Sequence, residues 1–225
     1  MNRKVLVAIV TLLAAACQNA ITPPPAKPTP RQVPEVKPDI PVPAPHYGIE
    51  IIDSHVHIVP TMAALGQALE VLEGVGIHRF VAKSAGAYGT TRFWSTVAMK
   101  RVLGERFEFF CNIDWDAIDD PKFAERTAKD LELAALAGAK GVKIFKALGL
   151  RVKTADGRLL PVDDPRLDPI FEKAGEAGLI VAMHTADPVA FFEPITPDNE
   201  RYEELSIAPR WSFFGDEFPS HDQNN

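Results

Sequence analysis

Cysteine is almost missing from this chain. Cys17 and Cys111 are the only two in 225 residues, and they lie far apart. Two thiols do not make a disulfide framework, so a fold here must rest on an apolar core. Cys111 ends the run Phe107-Glu108-Phe109-Phe110-Cys111, which reads as a small buried hydrophobe rather than a reactive thiol. Excess positive charge is missing too. Lys and Arg total 24 against 30 Asp and Glu, a formal net charge of −6, so composition gives no reason to expect nucleic acid as a partner. No Gly-x-Gly-x-x-Gly follows the first predicted strand, which argues against a dinucleotide site. Long apolar runs are scarce, and Val5–Leu13 is too short to span a bilayer comfortably. Histidine is limited to six residues, so their spacing carries weight.

The N-terminus reads as an address. Residues 1–16 have the form of an export signal: basic Arg3 and Lys4, the apolar run, then the small residues Ala14-Ala15-Ala16. Cys17 follows directly, and the segment resembles a bacterial lipoprotein signal, in which that cysteine is acylated. Leu13 stands one place earlier than the usual lipobox leucine. Gln18, where an Asp would retain the protein at the inner membrane, looks like an outer-membrane address. The expected location is therefore exported, in the periplasm or at the outer membrane, lipid-anchored through Cys17. Residues 17–47 hold ten of the chain's 20 prolines. Proline fixes φ and lacks an N–H, so neither helix nor ladder can form. A disordered or extended polyproline tether is expected there.

From Ile49 the pattern alternates between short apolar runs and amphipathic stretches. Strands are predicted at Ile49–Asp53, His78–Ala82, Phe107–Ile113, Gly141–Phe145 and Leu179–His184. Helices are predicted near Thr61–Gly74, Trp94–Leu103, Asp119–Ala137 and Asp164–Ala177. A small hairpin is expected within Leu150–Val162, turning at Ala155-Asp156-Gly157-Arg158. Such alternation predicts a parallel α/β domain over residues 49–225. His55 and His57 close the first strand two residues apart, so both imidazoles point to one side. His184 closes the fifth. Chemistry at the C-terminal ends of strands favours a (β/α)8 TIM-type barrel, with an open doubly wound sheet as the runner-up. Imidazole is the commonest neutral metal ligand.

Three stretches, Ile51–His57, Lys140–Leu150 and Val181–Asp187, with Pro209–Ser220 after them, resemble the metal-dependent amidohydrolase superfamily, in particular its amidohydrolase-related (amidohydrolase 2) branch. The resemblance implies a divalent metal, zinc above all, held by His55, His57 and His184. It puts Lys143 where several members carry a bridging, carbamylated lysine, with Lys146 the alternative on the opposite face. Asp53 is then an acid that orients an imidazole. The implied reaction is attack of a metal-activated water on an amide, ester or lactone of a small-molecule substrate. Some members decarboxylate aromatic acids on the same metal site.

The family pattern also asks for a His ending strand six and an Asp ending strand eight. After His184 only His221 remains, and no strand ending in Asp. A complete barrel takes ~250 residues, more than residues 49–225 supply. The expectation is an incomplete barrel of about five βα units from a truncated chain, with open edge strands, weak metal binding and little turnover. Asp187, Asp114 and Asp116 are the acids at strand ends that could substitute as base. Trp94, Trp211, Phe213 and Phe214 could line a substrate pocket. A non-catalytic periplasmic lipoprotein that uses the domain for binding is the competing class. A nuclease of the TatD type is disfavoured, because Lys143 stands where that type carries a glutamate.

Overall fold

Each strand of this domain is short, and each is followed by a helix that can cover one face of a sheet. The computed structural model describes residues 48–184 and 187–224. The expected signal (1–16), the tether (17–47) and Cys17 lie outside the described residues. Five strands are present: β1 Ile52–Val56, β2 Arg79–Ala82, β3 Phe107–Asn112, β4 Gly141–Ile144 and β5 Ile180–Met183. They pair in sequence order, every pair parallel. The main helices are α1 Met62–Gly74, α2 Thr91–Leu103, α3 Phe123–Leu136, α4 Asp168–Glu176 and α5 Tyr202–Ile207. This is an incomplete TIM-type barrel of five βα units, as the alternation predicts.

Side-chain alternation divides the sheet. Phe80 and Ala82, then Phe107, Phe109 and Cys111, then Val142 and Ile144, share one buried core with Leu65, Phe93, Val97, Phe123, Leu131, Ile170 and Ala174 of the four helices. The residues between them turn to the concave face. Helix starts follow the capping chemistry of the sequence. The Thr61 hydroxyl accepts from the Ala64 N–H at 3.2 Å, and the Thr90 hydroxyl accepts from Phe93 N–H at 3.2 Å. The predicted helix Asp119–Ala137 begins later, at Phe123, because Ile118, Asp120 and Phe123 N–H groups close successive turns first. The hairpin is present: Lys153 and Leu159 pair antiparallel, with Gly157 at φ 83° in the turn. A second apolar cluster, Leu150, Phe191, Leu205 and Phe213, packs beneath α5. Among the described residues no helix is long and apolar enough to cross a membrane.

Strand one departs from the sequence reading. A buried strand is predicted, yet Ile52, Ser54 and His55 are exposed. Among the described residues β1 pairs only with β2 and β5 only with β4, and Ile180 is 62% exposed.

Gly141 begins β4 at a close approach. A Cβ there would lie 2.5 Å from the Phe110 ring and would also strike the Ile180 carbonyl. Gly141→Ala is therefore expected to destabilise the domain by about 2 kcal/mol, read as a lower urea midpoint with unchanged slope. Cys111 is buried, its thiol donates to the Gly141 carbonyl at 3.5 Å, and burial pushes its pKa up to about 12. It should resist iodoacetamide at pH 8 in the folded protein and react once urea unfolds it.

Candidate metal centre

Two histidines share a side because Val56 between them packs into the core. The His55 and His57 rings stand 5.2 Å apart at 58°. Phe145, just past β4, backs His57 with ring centroids 5.8 Å apart. His184 follows β5, its N–H donating to the Ile144 carbonyl at 2.9 Å. Its Nε2 lies 3.6 Å from Oδ1 of buried Asp187. Lys146 Nζ donates to that same Oδ1 at 2.8 Å. The other oxygen, Oδ2, is buried with no hydrogen-bond partner among the described residues.

Burial holds all three imidazoles below the ordinary 6.5. The Lys143 charge adds to this for His55; His55 itself and then Lys143 add to it for His57. For His184, burial outweighs the opposing pull of Asp187. Lys143 is the charge common to all three. Lys143 is 2% exposed and Lys83, just past β2, is 7% exposed. Burial draws both ammonium pKa values down, and for Lys83 the charge of Lys143 adds to it. The cluster therefore holds neutral imidazoles, which are ligands or bases, beside two lysines.

In kind, these donors fit a borderline metal such as zinc: neutral imidazoles and an orphaned carboxylate oxygen. In position they form two pairs, His55 with His57 and His184 with Asp187. Among the described residues no group of three or more His, Cys, Asp or Glu side chains closes on one point.

The remaining predicted residues sort as follows. Asp53 Oδ1 accepts the His55 backbone N–H at 2.9 Å. Lys146 is drawn away from Lys143 by Asp187 and lies 4.8 Å from the Phe213 ring centroid. Asp114 accepts the Asp116 N–H at 3.1 Å in an exposed turn. Trp94 packs against Tyr88 and Phe93, whereas Phe213 and Phe214 border a groove with Phe192 and Phe218, so the four aromatics do not form one pocket.

The sequence reading missed Lys83, Asn112 and Arg92. β3 pairs with β2 through Phe109 and with β4 from Phe110 onward. Asn112 spans the point where the ladders part. Its Nδ2 donates to Lys83 O at 3.1 Å and to Lys143 O at 3.2 Å, and its Oδ1 accepts from Gly86 N–H at 2.7 Å. Arg92 ties the segment after β1 to the segment after β2, donating to the Ile58 carbonyl at 3.3 Å and to the Ser84 carbonyl. The alternation Arg79, Val81, Lys83 was a visible signal for Lys83, since it puts that lysine on the face opposite the core residues Phe80 and Ala82.

The fold and these strand-end residues define an α/β-barrel class with a polar C-terminal rim. The chain belongs to the amidohydrolase family, whose profile matches residues 52–217. Comparison with curated proteins finds none that matches. Among solved structures, the chain is similar to a 5-carboxyvanillate decarboxylase from Novosphingobium aromaticivorans, determined with manganese and 3-methoxy-4-hydroxy-5-nitrobenzoic acid. The identity is 15% and the TM-score 0.45, over 76% of this chain and 57% of that one.

The imidazoles set a pH dependence. A histidine whose pKa is lowered on folding binds fewer protons folded than unfolded, so stability rises with pH across that interval. It is at its full value above about 6.5 and is lost as pH falls from there toward the folded values. The urea midpoint should drop between pH 7.5 and 5.5, and His57→Gln should flatten that drop.

Proposed function

We propose that this domain is a metal-dependent hydrolase site for a small molecule carrying an amide, ester or lactone, with His55, His57 and His184 as the metal ligands. The observation that carries this reading is three imidazoles kept neutral at the C-terminal ends of β1 and β5, in a chain of the amidohydrolase family. A divalent ion, zinc best suited to such a set, supplies Lewis acidity and activates water. The protein's part is positional. β1 presents two imidazoles with fixed spacing, and Phe145 keeps water from one side of His57. Asp187 stands beside His184 with an oxygen that makes no hydrogen bond among the described residues, and would serve as the base for a metal-activated water. Lys146 orients that carboxylate through its 2.8 Å hydrogen bond to Oδ1. Family likeness supports decarboxylation as the neighbouring chemistry on the same ligands.

A second reading, a non-catalytic binding module, is favoured by one observation: no three donors close on a point among the described residues. Under either reading, the basic, apolar and small residues ahead of Cys17 support export and lipid attachment, with residues 18–47 as the spacer between membrane and domain.

Calorimetric titration of the full chain with zinc separates the readings. Hydrolase geometry predicts one zinc per chain, weakened roughly 10–100-fold in His55→Ala and His184→Ala, together with zinc-dependent cleavage of chromogenic esters or lactones that Asp187→Asn abolishes. Zinc uptake unchanged by both histidine substitutions overturns the ligand assignment. Zinc binding with no cleavage of any ester, lactone or amide supports the module.

A further inference from the structure

Partly buried cations in this domain are generally paired with acids. Lys100 meets Glu108 at 2.8 Å and Lys146 meets Asp187 at 2.8 Å. Lys83 and Lys143 are the exceptions. They are more deeply buried than either, yet among the described residues neither ammonium group makes a salt bridge or a hydrogen bond. Leaving one buried charge without a counter-charge is costly, and a second like charge beside it adds to the cost.

The surroundings hold both lysines in place. Lys83 Nζ sits 3.1 Å above the Phe110 ring centroid, a cation–π contact. That ring occupies its place only because Gly141 lacks a Cβ. Lys143 Nζ lies 5.7 Å from the Phe145 ring. Asn112 fixes the two backbones, donating to the carbonyl of each lysine. Two ammonium groups are thus presented between aromatic rings, on the concave face, beside imidazoles that are neutral and add no positive charge of their own.

We infer that Lys83 and Lys143 form a binding site for the carboxylate of an organic acid whose apolar body lies against Phe145. A carboxylate supplies the missing negative charge and accepts hydrogen bonds from both ammonium groups. The aromatic wall favours an acid with an apolar body over a fully hydrated inorganic anion. Binding of the carboxylate rests on the lysines alone. That the bound acid is the substrate rests on the hydrolytic reading above, and selects esters, lactones or amides that carry a free carboxylate.

The test uses the full chain in EDTA at pH 7, so no metal takes part, with benzoate as the probe and inorganic phosphate as the comparison anion. Calorimetry is expected to show one benzoate per chain. Lys83→Met should weaken it roughly tenfold or more, and Lys83→Arg should largely preserve it. Benzoate should also raise the melting temperature of the wild-type chain beyond an equal ionic strength of sodium chloride. That arm needs no variant and decides the matter if Lys83→Met does not fold. Absence of benzoate binding, equal binding by a folded Lys83→Met, or tighter binding of phosphate than of benzoate overturns the inference.

Discussion

One side-chain amide holds this sheet together where its hydrogen bonding changes hands. β3 serves β2 with its first half and β4 with its second, and beyond Phe109 its backbone bonds to the segment after β2 are those of the Ala85 and Asn112 N–H groups to the Phe110 and Gly86 carbonyls. The Asn112 side chain adds to these by donating to a carbonyl on each side and accepting a third N–H from Gly86. A half-buried amide that satisfies three backbone groups is exchangeable for little else, since any apolar replacement leaves those groups without that partner. Both carbonyls belong to lysines of the concave face. The backbones that carry the two lysines are therefore braced from the same point.

Electrostatics on that face follow from crowding. Burial and the lysine charges push the imidazoles toward neutrality, and burial pushes the lysines the same way, the charge of Lys143 adding to it for Lys83. Asp187 works against this at one edge, where Lys146 already claims one of its oxygens. The result is a surface rich in lone pairs and in positive charge but poor in negative charge. Such a surface accepts a cation through its nitrogens and an anion through its lysines.

Much of this was legible in the sequence. Period-two alternation and short apolar runs gave all five strands, because parallel strands under helices must be apolar on the covered face. The pair His55 and His57 could be placed together because two-residue spacing fixes side on a strand. The role of Gly141 was not legible, since it depends on a phenylalanine from the neighbouring strand, and neither was that of Asn112, which depends on where two ladders meet. Lys83 was missed for a different reason. A lone lysine after a strand reads as solvent-facing, and only the folded sheet relates it to Lys143 of β4, across Asn112 of the intervening β3. Strand one was read as buried because its residues are apolar, but burial requires a neighbour on both sides.

The two edge strands are not equivalent, and this asymmetry bears on how the protein behaves at high concentration. β1 shows Ser54 and His55 beside exposed Ile52, with Arg79 and Glu50 paired nearby at 3.4 Å. β5 shows Ile180 and Val181. Unpaired backbone groups beside exposed branched aliphatics are a template for strand addition, whereas polar and charged rims discourage it. Among the described residues the β5 edge, with Ile180 and Val181 exposed, is the better template for strand addition, and a charged residue in place of Ile180 blunts it.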